Sequence, residues 1–235
     1  MGKNLISQRR GRGSGTYRSA SHRFQGEVKH PDINTAGTVT DILHCAGHSA
    51  PLLEVATLSG HTALTIAPVG IKLGDEISFG SSTEIKEGNV LPLRDIPEGT
   101  FIHNIEIHVG DGGKMVRSSG VFARIIAKTD HDVRIKLPSK KEKLLNPGCR
   151  AAIGMVAGSG REEKPFLKAG AMYHRMAARN KLWPRVCGIS MNAVDHPFGG
   201  KGSHTKGRPT QSPRNAPPGR KVGKIAPRRT GRKKL

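Results

Sequence analysis

The last 72 residues of this 235-residue chain carry 18 Lys and Arg against a single acid, Asp195. No other feature constrains the fold as much. A segment with a net charge of +17 repels itself, and this one has few large apolar residues with which to offset its ordering entropy. Residues 1–35 repeat the bias, with 7 basic and 2 acidic side chains, whereas residues 36–163 balance 14 against 15. The net charge of +21 therefore sits in two ends that flank an ordinary neutral centre. In 199–235 the charge is interleaved with Gly199, Gly200, Gly202, Gly207, Pro209, Pro213, Pro217, Pro218 and Gly219. Alone, that stretch is expected to be disordered, as basic arms that bind nucleic acid commonly are. Solubility by itself does not require so one-sided a composition.

Several classes are set aside at once. No run of 18 apolar residues exists to cross a membrane as a helix, and Met1–Gly15 is basic without the apolar core of a signal peptide. Cys45, Cys149 and Cys187 are odd in number and far apart, which argues against a disulfide framework or a zinc knuckle and fits a reducing, cytosolic compartment. His44, His48 and His61 are irregularly spaced and are not read as metal ligands. Gly110-Asp111-Gly112-Gly113 lacks the Gly-Lys-Ser/Thr ending and the following helix of a phosphate loop, and reads as a hairpin turn.

The centre reads as strands. Thr38–Leu43 is one run of β-formers. Leu52–Leu58 and Thr62–Ile66 form a hairpin across Ser59-Gly60-His61, and Val69–Ile77 continues the pattern. A second set follows at Thr100–Val109, Lys114–Arg117, Phe122–Lys128, Asp132–Leu137 and Ala151–Val156, with a weak helical pattern only at Ser139–Leu145. Short strands about 10 residues apart predict an all-β chain of small barrels. The expected boundaries are a basic extension over 1–35, barrels over 36–87 and 88–163, and a second basic extension over 164–235. Each half is small for an independent core, so the barrels should pack on each other.

The final segment opens with a helix predicted over 165–181, with Pro165 in its first turn and Pro184 barring continuation. Lys168, Arg175 and Arg179 share one face of it; Phe166, Tyr173 and Ala177 share the other, which can pack on a barrel. Further on, Asp195 adjoins His196. A general base oriented by a carboxylate is the sharp reading. Adjacent residues rarely achieve that geometry, however, and no nucleophile accompanies them. A structural or RNA-contacting role in the loop Pro197-Phe198-Gly199-Gly200 is favoured.

Across these segments the chain resembles the large-subunit ribosomal protein L-two family, in its archaeal or eukaryotic form. The resemblance rests on Arg10-Gly11-Arg12-Gly13, Ser21-His22-Arg23-Phe24 and Val28-Lys29-His30 in the first tail. It continues through Gly88-Asn89-Val90-Leu91-Pro92-Leu93, Ile96-Pro97-Glu98-Gly99-Thr100, His103-Asn104-Ile105-Glu106, Leu137-Pro138-Ser139, Cys149-Arg150-Ala151 and Ile153-Gly154. The most specific stretch is Gly188-Ile189-Ser190-Met191-Asn192-Ala193-Val194-Asp195-His196-Pro197.

The resemblance implies an OB-fold barrel followed by an SH3-like barrel, with both tails in large-subunit rRNA near the peptidyl transferase region. It also implies a part in subunit association and no enzymatic activity of the chain itself. His196 matches the family's loop histidine, which has been discussed as an aid to peptide-bond formation. Phe198 stands where bacterial relatives carry a second His, so a two-His scheme cannot apply. His48 stands where relatives usually carry Arg.

The rRNA contacts expected are Arg9, Arg10, Arg12, Arg18, His22, Arg23, Lys29 and His30 from the first tail, and Arg117 from the second barrel. From the last segment they are Lys168, Arg175, Arg179, Lys181, Arg185, Met191, Asn192, His196, Lys201, Arg208, Arg214, Arg220, Lys221, Arg228 and Arg229. No cofactor is expected, structural Mg2+ ions being held mainly by the rRNA. The expected partners are that rRNA, neighbouring large-subunit proteins and the small subunit, with no membrane and no homo-oligomer, in cytoplasmic ribosomes. The alternative is a non-ribosomal basic nucleic-acid-binding protein. Few aromatics argue against a base-stacking single-strand reader, and the particular stretch Trp183–Gly200 against a wholly non-specific one.

Overall fold

A computed structural model describes residues 3–31, 35–80 and 84–228. The chain divides into two compact units, Ser21–Leu167 and Met1–Ala20 together with Lys168–Leu235. Among the described residues the first unit holds ten strands: β1 (Thr35–Leu43), β2 (Leu52–Thr57), β3 (Thr62–Ile66), β4 (Glu76–Phe79), β5 (Val90–Pro92), β6 (Phe101–His103), β7 (Ala123–Lys128), β8 (Val133–Lys136), β9 (Glu142–Leu145) and β10 (Arg150–Ile153). They form one sheet in the order β3-β2-β1-β4-β5-β10-β6-β7-β8-β9. Every pairing in that sheet is antiparallel except β4–β5, which meets at Phe79 and Val90. The fold is the all-β arrangement of an OB-like strand set, β1–β4, followed by an SH3-like set, β5–β10.

Alternation explains the strands. In β7 and β8, Ala123, Ile125, Val133 and Ile135 face inward while Arg124, Arg134 and Lys136 face solvent. A bulge in β1 shifts its register on β2 between Val39 and Asp41; Val39 is buried, and Ile42, paired with Leu53, is exposed. The cores confirm that the two sets depend on each other. Val90 and Ala152 of the second set pack with Val39, Leu53, Val55, Ile77 and Phe79 of the first. Leu91, Ile96, Ile102, Ile125 and Ile135 build the second core.

The strand unit departs from the sequence reading at several points, and the strand expected over Lys114–Arg117 is reduced to an isolated bridge from Met115 to Ile105. Ser139–Leu145 is not helical: Lys140 takes a left-handed φ of 64° in a tight turn, and β9 returns along β8. Thr100–Val109 is strand only to His103, because Asn104 at φ 46° turns the chain away. Val69–Ile77 enters the sheet only from Glu76, after a turn in which the Asp75 carboxylate accepts the Lys72 N–H at 2.8 Å. Finally, the basic extension does not run to residue 35: Val28 and His30 are buried in the strand unit.

The second unit contains α1 (Ile6–Gly11), α2 (Ala169–Ala178) and a parallel pair, β11 (Gln211–Ser212) with β12 (Lys224–Ile225). α2 is shorter than the 165–181 expected. Lys168 is its extended N-cap, and Asn180 ends it at φ 48°. There the Lys181 N–H reaches the Met176 carbonyl and the Asn180 N–H that of Ala177, a Schellman closure with Asn in the left-handed position. No residue of α2 is buried, so the expected packed face of Phe166, Tyr173 and Ala177 is not sealed against a core.

Candidate nucleic-acid interface

The two basic tails, expected as separate arms, are joined in one unit. Leu5 of the first tail packs with Phe198 and Val222 of the last segment. Lys3 pairs with Asp195 at 2.8 Å. The Arg10 guanidinium donates to the Asn180 carbonyl at 2.6 Å and lies 5.2 Å over the Tyr17 ring. The Asn180 amide donates to the carbonyls of Thr16 and Arg18, at 2.9 and 2.6 Å. Asn180 therefore ends a helix with its backbone and staples the other tail with its side chain. Farther along, the Lys206 ammonium is ringed by the carbonyls of Gly200, Lys201 and Ser203. The buried Ser212 hydroxyl bridges Arg220 and Val222.

Backbone closure shapes the loop around His196. The Asn192 carbonyl accepts the N–H groups of Asp195 and His196, and that of Met191 accepts the Gly200 N–H at 3.0 Å. Gly199 lies so close that a Cβ there would stand 2.6 Å from the Met191 oxygen, and one at Gly188 would enter the His196 ring. His196 Nδ1 accepts the Phe198 N–H at 3.0 Å, which puts the proton of the neutral ring on Nε2. Partial burial pushes the pKa of the ring below its ordinary value. Asp195 is engaged by Lys3, so the carboxylate does not serve as an orienting partner for the imidazole.

The expected contact residues fall into two groups. Arg9, Arg12, His22, Arg23, Lys168, Lys181, Arg185, Asn192, Lys201, Arg208, Arg214, Lys221 and Arg228 are exposed. Arg18 is exposed too, its Nε donating to the Gly13 carbonyl, and Lys29 is exposed beside Glu27. Arg10, Arg175, Arg179, Met191 and His196 are half-buried. Arg229 lies outside the described residues. The predicted shared face of Lys168, Arg175 and Arg179 reduces to Arg175 within α2, the other two being its caps.

Three more of the expected contacts have side chains engaged within the chain. His30 is buried, its Nε2–H donating to the Asn104 carbonyl at 2.6 Å, and burial pushes its pKa down to about 4. It ties the segment 28–31 to the turn at Asn104. Arg117 donates to the carbonyls of Gly113 and Val28, and Arg150 donates to that of Pro31; together they hold the same segment. The Arg220 guanidinium is wrapped by Ser212, Pro209 and Gln211. Charge alone does not distinguish such ties from exposed cations.

Other motifs resolve similarly. The Gly110–Gly113 turn is filled by its own carboxylates: Asp111 accepts the N–H groups of Ile107, His108 and Gly113, and Glu106 those of Gly110 and Gly112. Glu106, fully buried, also receives the Arg150 guanidinium at 2.9 Å. Burial raises its pKa, but the Arg150 hydrogen bonds and charge outweigh that, and the result lies below the ordinary carboxylate value. His48 Nδ1 sits 3.1 Å from the buried Cys45 sulfur.

Sequence reasoning missed Lys3, Asn180 and Lys206. Only Asn180 carried a local signal, as an Asn directly after a helix.

Comparison with known proteins adds an independent finding. The family model for the C-terminal domain of ribosomal proteins L2 matches residues 86–216. The large ribosomal subunit protein uL2 of Methanococcus vannielii is 52% identical over 240 residues, 99% of this chain and 100% of the relative. That of Methanothermobacter thermautotrophicus is 52% identical over 241 residues, covering both chains completely. That of Haloquadratum walsbyi is 51% identical over 236 residues, 99% of this chain and 97% of the relative.

Proposed function

The chain belongs to the ribosomal protein L2 family, and on that premise we propose that it is a structural constituent of the large ribosomal subunit. It binds large-subunit rRNA and supports assembly, subunit association and the architecture around the peptidyl transferase centre. The observation that carries this reading is the concentration of the +21 charge in two tails that fold on each other, while the strand unit is neutral. Lys and Arg supply affinity by releasing counterions from phosphates; His, amide and backbone groups read RNA shape.

The chain works without a cofactor and without a reaction of its own. Asp195 bound to Lys3, and His196 turned toward the Phe198 N–H, supply no activated nucleophile. It acts in cytoplasmic ribosomes, next to other large-subunit proteins and the small subunit, and not as a homo-oligomer. Co-sedimentation with large subunits after a high-salt wash tests the reading. Retention at stoichiometric level is expected. Release accompanied by equal competition from bulk DNA and large-subunit rRNA would instead identify a non-specific basic nucleic-acid-binding protein.

A further inference from the structure

We propose that the cleft between α1 and the loop 186–195 is a slot for one unstacked nucleotide of the bound RNA. The inference rests on the RNA-binding reading above and adds a site to it. The cleft has a volume of about 420 Å³. That is near the small end of ligand pockets, roughly 300–1,000 Å³, and it suits one nucleotide rather than a duplex.

Its lining combines apolar side chains with the charged Lys3, Arg9 and Asp195. Ile6, Val186 and Met191 face the space, and Ile6 and Val186 are 44% and 55% exposed. Flat apolar walls suit the faces of a base, and the flexible Met thioether adapts to a purine or a pyrimidine. Asn4 and Asn192 also line the cleft, and each amide offers both donors and an acceptor to a base edge.

The electrostatics favour a phosphodiester link beside the base. Arg9 lies three residues after Ile6 in α1, hence on the same face one turn on, and its side chain is exposed. Asp195 would repel a phosphate, but Lys3 neutralises it at 2.8 Å. Extruding the base costs the RNA its stacking, which is least for a nucleotide already unpaired. The slot therefore selects a bulged or looped nucleotide and fixes the register of the tails on the RNA.

The test uses the full chain, isotope-labelled, titrated separately with AMP, GMP, CMP, UMP and inorganic phosphate. At least one mononucleotide should shift amide resonances at Ile6, Arg9 and Ser190–Asn192, and phosphate alone should not. Ile6→Trp, which fills the cleft from within α1, should abolish those shifts. It should also weaken binding to large-subunit rRNA about tenfold at an unchanged salt slope. Arg9→Ala should reduce the slope by about one.

Amide exchange at Gly199 and Val222 checks that the variant retains its fold. If Ile6→Trp disturbs them, Met191→Ala, which removes a wall without touching α1, carries the same comparison. The same shifts with phosphate alone, no shifts with any mononucleotide, or variants that bind rRNA as tightly as the wild type would each overturn the slot. If the wild type shows no preference for large-subunit rRNA over bulk DNA, the ribosomal reading fails instead, and the mononucleotide shifts still decide the slot.

Discussion

His30 and His103 are the residues that most directly couple this protein to pH. Both are buried, each donates one ring N–H to a backbone carbonyl (Asn104 and Gly154), and burial pushes both pKa values down to about 4. Between about 6.5 and 4 the unfolded chain binds two protons that the folded chain refuses. Stability from these groups is therefore complete above about pH 6.5 and declines as the pH falls toward 4, by on the order of 3 kcal/mol for each histidine. Glu106 adds a loss in the same direction, since its pKa is depressed and its contribution disappears as the carboxylate protonates. Urea midpoints measured from pH 7.5 to 4.5 should fall steadily, and the His30→Gln variant should show a flatter dependence. A midpoint constant over that range would contradict the burial argument. His196 behaves differently: half-buried in a loop, with its Nδ1 accepting a backbone N–H, it is a shape element. His196→Ala should lower subunit assembly or translation, yet leave the pH profile of peptide-bond formation unchanged in subunits that have assembled fully. Loss of an ionisation in the histidine range at equal occupancy would reverse that conclusion.

Among the elements, the loop 188–200 shows how a structure with little apolar burial is held. It depends on close backbone approach: Gly199 leaves no space for a methyl group beside the Met191 and Asn192 carbonyls. Gly199→Ala should cost about 2 kcal/mol or more and raise amide exchange throughout 188–200, while Ile125 and Ile153 remain protected. Unchanged exchange in the loop would mean that the backbone yields easily there. The regular elements were legible where periodicity and turn chemistry agreed. The hairpin across Ser59-Gly60-His61 is an example, as are the alternations in β7 and β8. Legibility ended where a single backbone angle decided the outcome. Asn104 and Lys140 have positive φ without being glycine, and each turned an extended or helical pattern into something else. Asn180 did the same to the end of α2, although an Asn in that position is a known stop signal. The individual site residues were least legible. His30, Arg117 and Arg220 have the composition of RNA contacts, but each donates to backbone carbonyls of this chain, far away in sequence for His30 and Arg117 and nearer for Arg220.

On the scale of the whole molecule, the division of charge was plain in the sequence, whereas the joining of the two tails was not. Their junction depends on Leu5 meeting Phe198 and Val222, residues about 190 or more apart that follow no period. With the charge in the tails, rRNA affinity should depend strongly on salt. If roughly 8–10 basic side chains displace counterions, log K against log salt should slope by about −6 to −9, and a slope shallower than about −3 would contradict a tail-driven affinity. The same division makes the two units unequal in the free protein. Ser21–Leu167 has balanced charge and cores built from Leu53, Ile77, Phe79, Ile102, Ile125 and Ile135, enough apolar burial to fold without RNA. Among the described residues the tail unit buries three apolar side chains against a large like-charge surplus, and no residue of α2 is buried. Its hydrogen-bonded staples contribute only about 1 kcal/mol each once exchange with water is counted. Phosphates remove the repulsion, so part of the binding free energy should be spent on ordering this unit. Amide exchange should therefore find Ile125 and Ile153 slow in the free protein, and Phe198, Ser212 and Val222 measurably faster than these until rRNA is added and slower afterwards. Protection of Val222 equal to that of Ile125 without RNA would show that the joined tails are a self-sufficient domain. A strand unit unprotected until RNA arrives would show that its cores are too small to stand alone.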